Sequence, residues 1–162
     1  MPIDIRTAQS PEDIGVVRVL FTEYAQSLGF SLCFQGFDRE LADLPGRYAP
    51  PRGSLRLATL DGEPVGCVAV RPLEADVCEM KRLYVRPEQR RSGLGRRLAE
   101  VILDDARGLG YRAMRLDTLS TMTAAIALYR SIGFRTIPAY YDNPIESAVY
   151  LECDLTPTAR IR

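Results

Sequence analysis

The chain has 162 residues, which suits one domain that can bury a hydrophobic core without metals or disulfides. Its formal net charge of zero at pH 7 argues against an overall attraction to nucleic acid or membranes. It contains no histidine, the commonest general base and zinc ligand, and its 4 cysteines form no Cys-x-x-Cys motif. We therefore expect reduced cysteines, no metal, no membrane span and no secretory signal, which together predict a cytoplasmic protein.

The first half of the chain carries clear helix and hairpin signals. Ser10 followed by Pro11 is typical of a helix start, because serine caps the first turn and proline tolerates the first helical position. Apolar residues then recur at helical spacing as far as Gly29. Asp61-Gly62 between two apolar runs is typical of a tight β-hairpin. The predicted elements are a strand at 3–6, helices at 11–28 and 39–44, and strands at 55–60, 64–71 and 77–85.

The second half alternates strands with helices. Its predicted elements are helices at 94–109 and 124–132 and strands at 112–118, 134–137 and 148–155. An antiparallel first half that continues into a β-α-β-α-β second half predicts an α/β (α+β) domain with a mixed sheet covered by helices. Such sheets bind ligands outside the carboxyl ends of their strands. We expect one domain over 1–155 and a short C-terminal tail at 156–162.

A basic, glycine-containing loop follows the strand at 77–85. Arginines crowd this stretch, and Gly93 and Gly95 mark the start of the next helix. A strand-loop-helix junction presents unpaired backbone N–H groups to an anion, and arginines add charge. The loop lacks a Walker A motif and fits the dinucleotide-binding fingerprint poorly. On the residues alone, a phosphate site and a glycine-rich helix start on a basic surface both stay open.

Two motifs, at a typical separation, resemble those of the GNAT superfamily of N-acetyltransferases. Arg90-x-x-Gly93-x-Gly95 resembles its acetyl-CoA signature, and residues 125–134 (AIALYRSIGF) resemble its later helix motif. The resemblance implies a central V-shaped sheet of six to seven strands with about four helices. It also implies acetyl-CoA or another acyl-CoA as cofactor, with pantetheine in the gap between the strands at 77–85 and 112–118.

The resemblance assigns cofactor contacts to the end of one strand and the loop after it. The implied contacts are Leu83, Tyr84, Val85, Arg90, Arg91, Ser92, Gly93, Leu94, Gly95 and Arg96. The pyrophosphate would lie on backbone N–H groups of 91–96. One position departs from the pattern: many members carry an asparagine at the start of the later helix, where this chain has Met122. No asparagine contact is therefore carried over.

The same resemblance implies two catalytic residues. Glu79 matches the catalytic glutamate of histone acetyltransferase members, and a partly apolar groove would raise its pKa so that it acts as general base. The alternative is that Glu79 only pairs with Lys81 or an arginine. Tyr129 matches a tyrosine near the CoA sulfur and is the candidate general acid. Its alternative is an ordinary core aromatic residue.

The acceptor site is predicted opposite the cofactor, in segments 30–48 and 138–143. Its candidate residues are Phe34, Gln35, Tyr140, Tyr141 and Asp142. They favour a small polar amine, with Asp142 or Glu40 pairing a second cationic group, although loop packing would explain most of them. A non-catalytic acyl-CoA-binding protein is the alternative function. Nucleic acid is ranked low because no aromatic stacking pattern accompanies the arginines, and a homodimer stays open.

Overall fold

The computed structural model describes residues 3–29, 31–32 and 36–156. These residues form seven strands and four α-helices in the predicted order. The strands are β1 (Ile3–Thr7), β2 (Ser54–Leu60), β3 (Glu63–Pro72), β4 (Val77–Val85), β5 (Ala113–Leu119), β6 (Phe134–Ile137) and β7 (Ala148–Asp154). The helices are α1 (Pro11–Ser27), α2 (Phe37–Asp43), α3 (Leu94–Gly108) and α4 (Thr123–Ser131). None of these helices is long and apolar enough to cross a bilayer.

Local chemistry fixes several element boundaries as predicted. The Ser10 hydroxyl accepts a hydrogen bond from the Asp13 backbone N–H at 3.0 Å and caps α1. Asp61 and Gly62 connect β2 to β3 with φ angles of 52° and 84°, the positive values that a two-residue hairpin turn requires. Two short 3₁₀ turns, Gly46–Tyr48 and Pro87–Gln89, were not predicted. Single turns of this kind are too short to leave a periodic pattern.

The strands form one mixed sheet with the order β1-β2-β3-β4-β5-β7-β6. Neighbouring strands are antiparallel except β4 and β5, which are parallel. α3 and α4 pack on one face, where Leu98 and Ile102 belong to a core with Met80 and Met114. α1 and α2 pack on the other face, where Val17 and Phe21 belong to a second core. The predicted fold class, a mixed sheet between two helical layers, is confirmed.

β4 and β5 diverge, which gives the sheet its V shape. They pair only at three positions, Val77–Glu79 against Ala113–Arg115. Beyond them, β4 is bent by a bulge, because the four residues from Lys81 to Tyr84 lie opposite only three on β3, from Ala69 to Cys67. Arg82 lies at this bulge with a φ of 62°. The remaining part of β4 therefore leads away from β5 and opens a gap inside the sheet.

Other predicted features fall partly outside the described residues. The tail from 156 onward is one of these, since 157–162 are not described. Cys67, Cys78 and Cys153 are buried free thiols, in line with the expectation of reduced cysteines, whereas Cys33 is not among the described residues.

Candidate active-site cleft

A cavity of about 630 Å³ occupies the gap between the diverging parts of β4 and β5. Its walls come from both strands, from the end of α1, from the loop before α3, and from the first turns of α4 and the segment before β7. The residues contributed by the strands are Met80, Lys81, Arg82, Leu83, Tyr84, Val85, Leu116, Asp117, Thr118 and Leu119. The cleft thus lies beyond the carboxyl-terminal part of the parallel pair, where open sheets bind their ligands.

The bulge on β4 is held by an arginine that is almost fully buried. Arg82 is 3% exposed and makes two 2.9 Å hydrogen bonds to the Glu40 carboxylate. Its guanidinium also lies 5.1 Å from the ring centroid of Phe37 and 5.9 Å from that of Tyr24. These contacts offset the strain of a non-glycine residue at positive φ. They also tie α1 and α2 to the wall of the cleft.

The basic loop forms one end of the cleft. Arg91 and Gly93 have φ angles of 70° and 85°, so the chain makes a sharp turn before α3 begins at Leu94. A Cβ at Gly93 would meet nothing within 4 Å, so glycine is required there for its φ angle rather than for space. The first N–H groups of α3 lie at this end, where the helix dipole favours an anion.

The structure places only some of the predicted cofactor residues in the cleft wall. Leu83, Tyr84, Val85, Arg90, Arg91 and Gly95 line the cleft, whereas Ser92, Gly93, Leu94 and Arg96 do not. The Leu94 side chain is in the core, and Arg96 donates to Ser131 at 2.9 Å and pairs with Glu100. Any contact from Leu94 to a phosphate would have to come from its backbone N–H group. Arg90, which lines the cleft, donates to the Val85 carbonyl at 3.1 Å.

Glu79 does not have the environment that the sequence predicted. It is 2% exposed and is not part of the cleft wall. Arg71 holds its Oε1 at 2.9 and 3.0 Å, and the Tyr140 hydroxyl donates to its Oε2 at 2.6 Å. Burial alone would raise the pKa of Glu79, but the charges of Lys81 and Arg71 and the Tyr140 hydrogen bond lower it overall. The predicted raised pKa is therefore wrong, because buried cations accompany the carboxylate.

Tyr129 lines the cleft from α4. Its ring packs edge to face on Phe134, with 5.5 Å between the centroids. Burial raises the pKa of Tyr129, so its hydroxyl stays protonated at neutral pH. A protonated hydroxyl at the cleft wall suits a proton donor. Next to it, Met122 also lines the cleft and accepts a 3.4 Å hydrogen bond from Thr118, with Thr121 and Thr123 on either side.

The predicted acceptor residues are arranged differently from the expectation. Tyr140 and Tyr141 are not in the cleft wall; their hydroxyls donate to Glu79 and Asp117, each at 2.6 Å. Glu40 is paired with Arg82, which already occupies the carboxylate expected to hold a cationic group. Asp142 is exposed and outside the cleft wall, and its pairing with a cationic group stays a prediction. Phe34 and Gln35 lie outside the described residues.

The cleft brings together three polar residues that were not among the predicted site residues, although Asn143 lies in the predicted acceptor segment 138–143. Lys81, Asp117 and Asn143 all line the cleft. Lys81 Nζ lies 3.7 Å from Asp117 Oδ1, while Asn143 Nδ2 lies 3.4 Å from Asp117 Oδ2. Two signals were available: Lys81 is the only lysine of the chain, and Asp117 is an acidic residue inside a predicted strand, directly after the apolar Leu116. Among the described residues, no group of acidic residues and cysteines is arranged to hold a metal ion.

Comparisons with known proteins agree with this geometry. The profile of the Acetyltransferase (GNAT) family matches residues 20–134. An uncharacterized N-acetyltransferase from Schizosaccharomyces pombe is 43% identical over 156 residues, which cover 95% of this chain and 96% of that protein. A GNAT-family acetyltransferase from Staphylococcus aureus has a TM-score of 0.78 at 16% identity, covering 96% of this chain and 100% of its own.

A further solved structure holds a ligand. The PaiA N-acetyltransferase of Thermoplasma acidophilum, solved in complex with coenzyme A, has a TM-score of 0.72 at 19% identity, covering 95% of this chain and 99% of its own. At identities of 16% and 19%, the likeness to these two solved structures shows only the shared fold. The profile match covers well over half of the chain and the fungal relative nearly all of it. The chain therefore belongs to the GNAT family and is an N-acetyltransferase of that family.

Proposed function

We propose that this protein transfers the acetyl group of acetyl-CoA to the primary amine of a small molecule. The observation that carries the proposal is the V-shaped gap with a basic helix-start loop at one end and buried polar groups at the other. A chain as long as pantetheine needs such a gap, and its pyrophosphate needs the N–H groups and arginines of the loop. That a GNAT-fold structure was solved with coenzyme A supports the cofactor assignment.

The residues present suit an acyl-CoA. Leu83, Tyr84 and Val85 lie where β4 has left β5, so their backbone groups are available to a ligand in the gap. Arg90 and Arg91 supply positive charge near the phosphates. The cofactor supplies a thioester as the acyl donor. A backbone N–H group near Leu83 would stabilise the oxyanion that forms when the amine attacks the thioester carbon.

Tyr129 is the proposed proton donor for the leaving group. As the tetrahedral intermediate collapses, the C–S bond breaks, and the electron pair goes to sulfur, which takes a proton from the Tyr129 hydroxyl. The amine must reach the thioester without its proton, because a protonated amine has no lone pair to attack with. Overall, an ammonium and acetyl-CoA give an amide, CoA with a free thiol and one proton.

The small-amine assignment rests on the residues at the closed end of the cleft. Lys81 and Asp117 carry opposite charges, and Asn143 adds an amide, so this end suits a compact polar molecule. An open acidic groove, which would attract a lysine-rich peptide, is not formed by these residues.

The test is a transfer assay with acetyl-CoA and a panel of free amino acids, polyamines, aminoglycosides and lysine-containing peptides. We expect one or more small amines to be acetylated and the peptides to be poor acceptors. Efficient acetylation of peptides alone would contradict the acceptor class. Calorimetric binding of acetyl-CoA without transfer to any amine would instead favour a non-catalytic acyl-CoA-binding protein.

A further inference from the structure

The closed end of the V holds one carboxylate that faces the cleft. The last β4–β5 pair is Glu79 with Arg115. Lys81 and Asp117 each lie two residues farther along their strands, and both line the cleft. Because side chains alternate along a strand, Lys81 is on the same face of β4 as Glu79, and Asp117 on the same face of β5 as Arg115. Asp117 therefore stands at the point where the strands begin to separate.

The two oxygens of Asp117 have different surroundings. Oδ2 accepts a 2.6 Å hydrogen bond from the Tyr141 hydroxyl and lies 3.4 Å from Asn143 Nδ2. Asn143 also donates to the Tyr141 hydroxyl at 2.9 Å, which fixes that hydroxyl toward the carboxylate. Oδ1 lies 3.7 Å from Lys81 Nζ, beyond the length of a direct hydrogen bond. The hydrogen bonds to Oδ2 thus orient the carboxylate, and Oδ1 faces Lys81.

Titratable groups from five elements surround Asp117. The titratable groups that interact with it are Lys81 on β4, Tyr24 on α1, Tyr129 on α4, Tyr150 on β7, and Tyr140 and Tyr141 in the segment before β7. Lys81 is the one cation in this set, and no second carboxylate belongs to it. Burial lowers the pKa of Lys81, which Glu79 and Asp117 partly oppose.

We infer that Asp117, rather than Glu79, is the general base that takes the proton from the acceptor ammonium. This inference rests on the proposed function. The ammonium of the acceptor docks against the Asp117 carboxylate, transfers one proton to it and becomes a neutral amine. The amine lone pair then forms the C–N bond at the thioester carbon, the C–S bond breaks, and Tyr129 protonates the departing sulfur. The nitrogen loses its second proton to the Tyr129 oxygen, which restores the hydroxyl. Asp117 returns its proton to water after the product leaves.

Accessibility decides between the two carboxylates. Glu79 has both oxygens engaged, by Arg71 and by Tyr140, and lies outside the cleft wall. Asp117 is part of that wall, and its side chain is 13% exposed. A base must come within hydrogen-bond reach of the proton that it removes. The negative charge of Glu79 instead raises the pKa of the neighbouring Lys81, so Glu79 affects the cleft only through Lys81.

The experiment compares Asp117→Asn with Glu79→Gln on two probe amines. n-Butylamine is an alkyl amine with a pKa near ~10.4, as for a lysine side chain, whereas glycinamide has an α-amino group with a pKa near ~8. At pH 8.5 most glycinamide is already neutral, so it needs a base far less. We expect Asp117→Asn to lower kcat by ~10²–10⁴-fold with n-butylamine, with a clearly smaller loss with glycinamide that shrinks as pH rises.

The controls separate a base from a positioning group. Tyr141→Phe removes a hydrogen bond to Asp117 but keeps the carboxylate, so its loss should be small and equal for both amines. CoA affinity by calorimetry should not change in Asp117→Asn. If that variant is unstable, Asp117→Ala assayed with added formate serves instead, because a small carboxylate in the vacated space should restore part of the rate.

Each outcome has one meaning. A loss that is equal for both amines at every pH, or no loss, would overturn the assignment of Asp117. A loss that depends on amine basicity in Glu79→Gln but not in Asp117→Asn would return the role to Glu79. A wild-type protein that binds CoA but acetylates neither probe nor any amine of the panel would contradict the proposed function itself, and the base with it.

Discussion

Tyr129 is positioned by its ring, which leaves its hydroxyl for chemistry. The ring is buried against Phe134 in the α3 side of the core. Tyr129→Phe keeps this packing, so the fold and the KM for acetyl-CoA should change little. We expect kcat to fall by ~10²–10⁴-fold, as for loss of a general acid. Steady-state kinetics of the purified variant measures this.

A second buried tyrosine provides the matched control. Tyr111 lies between α3 and β5, is 4% exposed and is not part of the cleft wall; its hydroxyl donates to the Arg52 carbonyl at 2.7 Å. Tyr111→Phe should lower the free energy of unfolding by about 1 kcal/mol and leave kcat unchanged. If both variants lose stability and neither loses activity, Tyr129 is a packing residue only.

The Glu79–Arg71 pair predicts a pH dependence of stability. The folded pKa of Glu79 is lowered, so its stabilising contribution is fully present above the usual value of 4.5 and is lost as pH falls through the folded pKa. Glu79→Gln should cost about 3 kcal/mol at pH 7, because it leaves the Arg71 charge unpaired. It should also flatten the decline in stability below pH 4.5.

Urea unfolding at several pH values measures this effect. Glu100→Gln is the control, since Glu100 is half exposed and only pairs with Arg96 on the same helix. That substitution should cost less than about 0.5 kcal/mol. A Glu79→Gln variant with the wild-type acid profile would show that the Arg71 pair does not control acid stability.

The loop between β4 and α3 is the element on which cofactor binding depends. Gly93→Glu would strain a φ of 85° and add a negative charge where the pyrophosphate is expected. We expect the variant to fold and to lose CoA affinity by at least about tenfold, which is ~1.4 kcal/mol. Calorimetric titration with CoA measures it.

Gly110 is a matched control at the other end of the same helix. It has a φ of 91°, and a Cβ there would also meet nothing within 4 Å. Gly110→Glu should therefore suffer similar backbone strain while keeping wild-type affinity for CoA. Equal affinities in the two variants would show that the loop before α3 does not hold the phosphates.

Short-range signals account for the elements that the sequence predicted well. Such signals act on the few residues around them, so a local stretch of sequence is enough to predict the element. Examples are Ser10-Pro11, Asp61-Gly62 and Gly93. The bulge at Arg82 depends on Glu40, Phe37 and Tyr24, which are distant in sequence, and no local pattern announces it.

The charges around the site also depend on residues that are distant in sequence. Glu79 was expected in an apolar groove, but Arg71 and Tyr140 come to it from β3 and from the segment before β7. Asp117 was overlooked because only the sheet brings it beside Lys81. Motifs located the cleft and its loop, whereas the charge state within it depends on tertiary neighbours.

At the scale of the whole molecule, the sheet consists of two parts joined at three residue pairs. β1 to β4 form one part, and β5, β7 and β6 form the other. A ligand in the gap would contact both parts and bind the folded state only. At 100 times its Kd, CoA should raise the free energy of unfolding by about 2.7 kcal/mol.

Thermal unfolding with and without CoA measures this gain, and hydrogen exchange locates it. Protection should increase in Met80–Val85 of β4 and Leu116–Leu119 of β5, which line the gap. The β1–β2 pair lies at the far edge of the sheet and is the internal control. Protection that rises there and not in the gap would place the ligand elsewhere.

The divergence of β4 and β5 also bears on solubility. Where two strands part, each presents backbone groups that a strand of another molecule could pair with, as at the outer edge of a sheet. This chain limits that hazard: the bulge bends β4, the buried charges of Lys81 and Arg82 lie along it, and the open stretch of β5 is only Leu116–Leu119. Stretches this short make poor templates for intermolecular pairing. A cofactor bound between the strands would shield the same backbone groups, so CoA in the buffer should slow aggregation of the concentrated protein.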